Sequence, residues 1–313
     1  YTYKRHEPER TLLYKAMANN LETWLSLRAA EAQNPLPQFV ENELRAFLSC
    51  GILEAGFTLV ACHKCNHCLP VAHSCKKRGF CPSCGAKRMT ETTAHLIENV
   101  LPHVPYRQYV VTCPHRLRYW MATSRELTSS VHKIVISTIM SYYETIAGER
   151  GIADPAPGGA TFFQRWGSAL QLNLHHHILV MDGVFSKTNT KFYELPGPDD
   201  DYVGQIVQAI ATAVIDMLKD RGYIAEEGEW VERPDAVDPI FKENEHLSLA
   251  AAASVQLRIA FDENAGKRVR CVGPTFGYYE EIPVIKGRRC SSTNGFTVHA
   301  NRFIGAQERS KLR

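Results

Sequence analysis

The stretch that decides the fold is LQLNLHHHILVMDG, residues 170–183, because it has the pattern of a β-strand with three histidines in its middle. Side chains alternate between the two faces of a strand. The even positions from Leu170 to Val180 are apolar except for His176, whereas the odd positions include His175 and His177. The sequence therefore predicts a core face, with His176 as a buried core histidine, and a polar face on which His175 and His177 suit one metal ion.

The composition is that of a globular chain. The 313 residues are 44% apolar, which is enough for a real core and for two units or one large domain with an appendage. No apolar run approaches the roughly 18 residues of a membrane span, and the first residues lack the pattern of a signal peptide. These features argue against a disordered tail and a membrane protein, and they predict a soluble, cytoplasmic protein.

Positive charge is concentrated in one segment of the chain. Between residues 59 and 125 there are ten lysines and arginines against Glu91 and Glu98, although the net charge of the whole chain is only +3. Such a segment suits a polyanion such as DNA, but a solvated basic face has the same composition. The predicted DNA-binding residues are Lys76, Lys77, Arg78, Lys87, Arg88, Arg116 and Arg118. Near the last two, Tyr119 and Trp120 suit stacking with unpaired bases, or else belong to the core.

Six of the ten cysteines lie in CHKCNHCLPVAHSCKKRGFCPSC, residues 62–84. Two CxxC pairs, Cys62 with Cys65 and Cys81 with Cys84, are separated by fifteen residues, which is the spacing of a zinc ribbon. These four thiolates predict one structural zinc ion with no open position for substrate. A different fourth ligand stays open, and a disulfide framework is the alternative that an oxidising compartment would favour. The spare candidate ligands are Cys68, Cys75, His63, His67 and His73.

Apolar periodicity predicts an α+β fold with a mainly antiparallel sheet flanked by helices. Thr123 and Glu126 read as a capping box for one of the helices. The predicted domains are an N-terminal helical unit (1–60), a four-cysteine zinc-binding module (61–101) and a sheet domain (102–313). Helices are predicted near residues 12–25, 40–52, 90–101, 126–146 and 203–218, and strands at 106–113, 170–183, 254–261, 267–273 and 295–301.

Three ordered motifs resemble one family. They are NLHHHILVMDGVF, SCKKRGFCPSC and LPHVPYRQYVVTCPHRLRY, and they are similar to segments of the rolling-circle, HUH-type transposases of the insertion-sequence-ninety-one and common-region group. The resemblance runs from about Glu7 to the end of the chain. It implies that an N-terminal zinc-binding domain precedes an HUH nuclease domain, in which two histidines around a hydrophobic residue bind a divalent metal. His175 and His177 would be these catalytic ligands, with His176 in the middle position that is usually apolar.

The resemblance also implies a mechanism of DNA strand transfer. A tyrosine hydroxyl attacks a phosphodiester of single-stranded DNA, Mg²⁺ or Mn²⁺ polarises the phosphate, and the products are a 5′-phosphotyrosine and a free 3′-OH. The family carries its tyrosine in a more C-terminal segment, so the nucleophile is expected beyond Arg313. Tyr278 and Tyr279 are the candidates within the chain, although a strand-edge aromatic pair has the same pattern. The expected partner is single-stranded DNA at transposon ends, including ends that contain hairpins.

A third metal ligand is not evident from the motif. His299 is the first candidate because it shares a predicted strand face with polar neighbours, and the others are His115, Gln171 and Asn173.

Two other functions remain open. A non-catalytic, zinc-stabilised nucleic-acid-binding protein would bind DNA without a metal at His175 and His177. A metal-dependent hydrolase of a small substrate also uses paired histidines on a strand, but it leaves the basic segment unexplained.

Overall fold

The computed structural model describes residues 5–31, 36–77, 79–167, 171–225, 228–231, 233–260, 263, 265–268 and 283–312. The chain divides into two units, Tyr1–Val100 and Leu101–Arg313. The first unit contains the segments predicted as the helical unit and the zinc module, and the second contains the segment predicted as the sheet domain. The helical and cysteine-rich segments of the first unit share one small core, in which Phe47 and Cys50 pack with Cys81.

The described part of the first unit contains three α-helices and one hairpin. The helices are α1 (Leu12–Glu31), α2 (Gln38–Ser49) and α3 (Pro82–His95), and the antiparallel strands are β1 (Phe57–Ala61) and β2 (Cys68–Ala72). Helix α3 begins eight residues before the predicted start at Thr90. Pro82 stands at its first position, where a proline costs no backbone hydrogen bond and its fixed φ suits the helix.

The second unit is built on a six-stranded sheet. Every pairing in it is antiparallel, and the strand order is β5-β6-β3-β11-β10-β9. Three short strands form a second sheet. The strands are β3 (Tyr106–Thr112), β4 (Pro155–Ala156), β5 (Gly159–Trp166), β6 (Leu172–Met181), β7 (Gly183–Ser186), β8 (Phe192–Glu194), β9 (Val284–Gly287), β10 (Cys290–Thr293) and β11 (Phe296–Ile304).

Helices cover one face of this sheet and leave the other face half exposed. They are α4 (His115–Thr123), α5 (Arg125–Glu149), α6 (Asp200–Asp220), α7 (Pro239–Lys242) and α8 (Glu245–Val255). On the covered face, Tyr109 of β3 meets Tyr143 of α5 through a hydroxyl contact of 3.1 Å. The predicted α+β fold, a helical N-terminal region followed by an antiparallel sheet flanked by helices, is therefore confirmed. Among the described residues, no helix has the length and apolar character that crossing a bilayer requires.

A buried ion pair fixes the end of the histidine strand. Asp182 directly follows β6 and accepts two hydrogen bonds from Arg107 of β3, at 3.0 Å from Nε and 2.6 Å from Nη2. Tyr143 donates to the same carboxylate at 3.0 Å, and Arg107 Nη1 donates to the carbonyl of Ala300 in β11 at 3.1 Å. Because both charges are buried and hydrogen-bonded, the pair fixes β3, β6, β11 and α5 relative to one another.

Two local predictions are wrong. The side chain that caps α5 is Ser124, which accepts from the amide of Leu127, whereas Thr123 is the last residue of α4. The segment predicted as a strand at 254–261 begins inside α8, because Asn244 caps that helix and an alanine-rich run favours it. Of the predicted strand at 267–273, residues 269–273 lie outside the described residues.

Candidate metal centres

Four cysteines of the first unit lie close together. They are Cys50, Cys75, Cys81 and Cys84, and their sulfur atoms all lie within 4.8 Å of one another. Three of the Sγ–Sγ distances are 3.6 Å, namely Cys50 to Cys84, Cys75 to Cys84 and Cys81 to Cys50. A tetrahedral zinc with Zn–S bonds of about 2.3 Å separates its sulfurs by about 3.8 Å, so this cluster fits zinc.

Each sulfur is placed by a different local feature. Cys50 caps the end of α2, Cys81 precedes Pro82 at the start of α3, and Cys84 lies in the first turn of that helix. A backbone amide points at one of the sulfurs, since Cys75 N donates to Cys50 Sγ at 3.4 Å. The Lys76 side chain extends into solvent, so forming the cluster fixes a cation on the surface.

Burial affects the protonation of these thiols. It raises the pKa of Cys50 and raises the pKa of Cys75 to about 11. The thiolate forms of these two residues are therefore disfavoured unless a cation compensates their charge, which is what a bound dication does. The described cysteines, including all four of the cluster, are free thiols and form no disulfide with one another, which removes the disulfide alternative for this cluster.

The cluster differs from the ligand set that was predicted from the sequence. Cys81 and Cys84 belong to it, but Cys50 and Cys75 take the places expected for Cys62 and Cys65. Those two cysteines lie exposed in the turn between β1 and β2. The CxxC spacing could not reveal Cys50, because this residue has no cysteine close to it in sequence and reaches the cluster only through the packing of α2.

The second site of interest lies on β6, where the predicted alternation is confirmed. Leu174, His176 and Ile178 are buried on the helix-covered face, whereas His177 is half-buried on the other. His175 shares the face of His177 and is 8% exposed, and the two ring centroids lie 4.8 Å apart. The Nδ1 atom of His175 lies 2.5 Å from the carbonyl of Asn173. Donation to that carbonyl leaves the Nε2 lone pair of His175 available to a ligand.

Gln108 is a site residue that the sequence analysis missed. It lies on β3, which pairs with β6, and its Nε2 atom is 3.1 Å from Nδ1 of His177. The only signal in the sequence is a polar residue within the strand YRQYVVT. Burial, followed by the nearby His175, lowers the pKa of His177, so its imidazole is neutral at pH 7 and able to bind a metal.

Two oxygen atoms beside His175 lack partners within the described part of the chain. Thr112 Oγ1 and Asn173 Oδ1 are buried without a hydrogen bond, and Thr112 lies directly across from His175 in the pairing of β3 with β6. Buried polar atoms are normally satisfied. Their position next to two imidazoles therefore fits a site that receives an ion or a polar ligand.

His299, the predicted third ligand, is not adjacent to His177. It lies opposite Val110 of β3, and Val110 in turn lies opposite His177. His299 is thus on the same face but two strands away, at about 10 Å by the usual strand spacing. Gln108, rather than His299, lies at hydrogen-bond distance from His177.

His176 is fully buried, as predicted, and it is held by stacking. Its ring lies 5.1 Å from His132 of α5, with 24° between the planes, and 5.0 Å from Phe163 of β5. Neither ring nitrogen has a side-chain or backbone hydrogen bond within the described residues. It points away from His175 and His177, so it is not a third ligand of their site.

Two family models match the chain. Residues 22–113 match a family described as "Transposase zinc-binding domain", and residues 158–259 match one described as "Putative transposase". The first is the zinc-binding domain of the insertion-sequence-ninety-one (IS91) group, and together the two matches span more than half of the 313 residues. The chain is an IS91-type transposase with an N-terminal zinc-binding domain. Comparisons with curated proteins and with solved structures gave no match.

Most basic residues predicted to bind DNA are exposed in this transposase. Lys76, Lys77, Lys87 and Arg88 lie on the surface of the zinc-binding unit, and Arg78 lies outside the described residues. In the second unit, Arg116 stacks over Trp230 at 5.7 Å.

The prediction for Arg118 is wrong. The residue is 4% exposed and its Nε donates to the carbonyl of Cys113 at 2.6 Å, so its guanidinium is committed to the core. Trp120 of the same helix is also buried and unavailable for stacking with bases.

A cavity adjoins His177 of the transposase. It is lined by residues of β3, β5, β6 and β11 and by the turn Arg309–Leu312. Its lining includes Gln108, Phe162, His177, Arg302, Lys311 and Leu312. No tyrosine from the described part of the chain lines it. Tyr278 and Tyr279, the predicted nucleophile candidates within the chain, lie outside the described residues.

Proposed function

We propose that this transposase nicks and rejoins single-stranded DNA at the ends of its element, in rolling-circle transposition, through a tyrosine nucleophile and a metal centre at His175 and His177. The observation that carries the proposal is the pair of imidazoles on the half-exposed sheet face, in contact with Gln108 and beside two unsatisfied oxygens. The protein would act in the cytoplasm, on DNA of the nucleoid.

The donor set fits a divalent cation. His175 and His177 offer imidazole nitrogens, and Gln108 offers an amide oxygen when its side chain is turned. A mixture of imidazole and carbonyl donors suits Mn²⁺ at least as well as Mg²⁺, which prefers oxygen ligands. Bound there, the cation would polarise a phosphodiester and stabilise the negative charge that develops on it.

The chain's own groups would perform the remaining tasks. The tyrosine hydroxyl gives up its proton as its oxygen forms a bond to phosphorus, the bond from phosphorus to the 3′ oxygen breaks, and the 3′ oxygen takes up a proton. The product is a 5′-phosphotyrosine whose ester a later 3′-OH can attack, so joining needs no nucleotide cofactor. When Gln108 does not bind the ion, its amide oxygen would accept from Nδ1–H of His177 and hold that ring in one orientation during both steps.

The position of the last described residues bears on where the nucleophilic tyrosine lies. Lys311 and Leu312 line the cavity next to His177. A segment that follows Arg313 would therefore start beside the metal centre. We place the nucleophile there, with Tyr278 and Tyr279 as the alternatives.

Exposed aromatic side chains favour single-stranded DNA over a duplex. Phe162 lies directly across from His177 on β5, at the edge of the sheet, and is 48% exposed. Trp166, farther along this strand, is 50% exposed. Unpaired bases stack on such rings, and the exposed Arg302, which lines the same cavity, supplies charge for the backbone.

The test is an adduct assay with DNA labelled at its 3′ end. The attack described above leaves the 3′-side fragment on the protein, so only a 3′ label should migrate with the protein in SDS, while a 5′ label should leave as free product. The chain printed here and a form that continues past Arg313 are each incubated with single-stranded DNA of the element's ends and Mn²⁺ or Mg²⁺. His175→Ala is the inactive variant, and Tyr278→Phe and Tyr279→Phe locate the nucleophile.

Each result has a distinct meaning. An adduct formed only by the longer form, and lost with His175→Ala, supports the proposal and a nucleophile beyond Arg313. An adduct formed by the printed chain and lost with one tyrosine variant assigns that tyrosine. If both forms bind DNA but neither forms an adduct, the protein is a non-catalytic binding protein. If neither form binds DNA and the protein hydrolyses small esters, it is a hydrolase. Either result would overturn the proposal.

A further inference from the structure

The turn between β1 and β2 contains metal-binding side chains that the four-cysteine cluster does not use. We call residues 62–68, CHKCNHC, the hairpin tip. It carries three thiols and two imidazoles within seven residues, and all five side chains are exposed: Cys62, His63, Cys65, His67 and Cys68.

Backbone hydrogen bonds fold the hairpin tip into a compact turn. The amide of Cys62 donates to the carbonyl of His67 at 2.9 Å, and the amide of Asn66 donates to the carbonyl of Cys62 at 2.8 Å. Asn66 adopts a φ of 55°, in the left-handed region that asparagine tolerates. The turn therefore folds back so that Cys65 approaches Cys62.

The three thiols of the hairpin tip lie on one short stretch of backbone, with Cys62 and Cys65 before the left-handed Asn66 and Cys68 after it. The third thiol belongs to Cys68, which pairs with Ala61 at the base of the turn, and its Sγ lies 3.7 Å from the carbonyl of Asn66.

The hairpin has little else to stabilise it. All five residues of β1 are exposed, and Phe57, Leu59 and Val60 are each more than half exposed. An isolated two-stranded hairpin without a packed face is only marginally stable in water. Small units of this kind commonly depend on a disulfide or a metal, and the described thiols form no disulfide.

We propose that the hairpin tip binds a second Zn²⁺, separate from the four-cysteine cluster, through the thiolates of Cys62, Cys65 and Cys68 and one imidazole of the turn. Thiolate and imidazole ligands in tetrahedral sites select zinc. The ion would connect the two strands at their turn, as a disulfide does in secreted domains.

The first test is zinc content. The purified full chain should contain two zinc ions per molecule by elemental analysis. The double variant Cys62→Ser/Cys65→Ser should contain one, while Cys290→Ser, which removes a thiol outside both sites, should retain two. One zinc in the wild-type chain, or an unchanged content in the double variant, would overturn the proposal.

The second test needs no variant, so it is independent of whether the double variant folds. The wild-type chain is treated with N-ethylmaleimide, with and without a zinc chelator of moderate strength, and each cysteine is read by mass spectrometry. Protection of Cys62, Cys65 and Cys68 that the chelator abolishes supports the second site. Rapid alkylation of these three thiols in the zinc-loaded protein would contradict it. Neither test depends on DNA cleavage.

Discussion

Gln108 Nε2 lies 3.1 Å from Nδ1 of His177, across two neighbouring strands of the central sheet. Residues that contact the second nitrogen of a metal-binding histidine fix its ring orientation and its tautomer. Gln108 can do this when its amide oxygen faces His177, because that oxygen accepts from Nδ1–H and leaves the Nε2 lone pair for the ion, or it can turn and bind the ion itself. In both cases a side chain of β3 contributes to the metal site whose histidines lie on β6.

Gln108→Ala should therefore reduce Mn²⁺ affinity about 10- to 100-fold, the usual effect of removing such a partner. DNA cleavage should fall with it, since the ring of His177 loses its fixed orientation. Gln108→Glu should retain metal binding because a carboxylate oxygen is also a ligand for Mn²⁺. The measurements are calorimetric Mn²⁺ titration and the adduct assay, with the exposed Gln205→Ala as control. Wild-type Mn²⁺ affinity in Gln108→Ala would remove Gln108 from the site.

The histidine strand could be predicted from sequence because its signal is local. Apolar residues alternate with His175 and His177, and the structure places these two sets on the faces that the alternation indicates. Gln108 could not be identified as a site residue from the sequence, because its role depends on which strand pairs with β6 and in which register. The same reason hid Cys50, which is 25 residues from Cys75 in sequence and meets it only after α2 packs.

Cys50→Ser tests which cysteines form the structural cluster. Loss of one of four thiolates should release the ion of the cluster, and structural zinc contributes about 10–16 kcal/mol to the folding of small zinc domains. We expect loss of one zinc per chain and rapid proteolysis within residues 1–100, with no such change in Cys290→Ser. The measurements are elemental analysis and limited proteolysis. If Cys50→Ser retains its zinc and Cys62→Ser/Cys65→Ser unfolds this unit, the ligand set predicted from the CxxC pairs is the correct one.

Asp182→Ala tests the buried ion pair at the end of β6. Removing one partner of a buried pair leaves the other charge uncompensated, which typically costs about 3–5 kcal/mol in the free energy of unfolding. Here the uncompensated group would be the guanidinium of Arg107, which also loses its bidentate contact. Urea unfolding measures the change, with Asp216→Ala on the exposed side of α6 as control. Equal stability of the two variants would show that the pair is not needed to hold the sheet.

Phe162→Ala tests the role of the exposed ring across from His177. Stacking of a base on an aromatic side chain is worth about 1–3 kcal/mol, so affinity for single-stranded DNA should fall roughly 5- to 150-fold. Affinity for a duplex should not change, because paired bases do not expose their faces. Phe162→Trp should retain the affinity for single-stranded DNA, because it keeps an aromatic ring at this position. Fluorescence anisotropy at fixed salt measures both affinities, and Phe39→Ala removes another exposed phenylalanine as control. An equal loss for duplex and single strand would argue against stacking.

His176→Leu tests how the transposase tolerates a histidine in its core. Burial, with a smaller contribution from the nearby His132, lowers the pKa of His176 to about 3, whereas the unfolded chain has a value near 6.5. Below pH 6.5 the unfolded state therefore binds more protons than the folded state, and acidification destabilises the fold. Between pH 7.5 and 5.5 this single residue should lower the free energy of unfolding by about 1 kcal/mol.

Leucine does not titrate, so His176→Leu should lose less stability over this interval in urea titrations. At pH 7.5 the variant should be at least as stable as the wild type, because it removes two ring nitrogens that make no hydrogen bond within the described residues. Equal losses on acidification would show instead that His176 takes up a proton in the folded protein and that its burial is relieved by local opening.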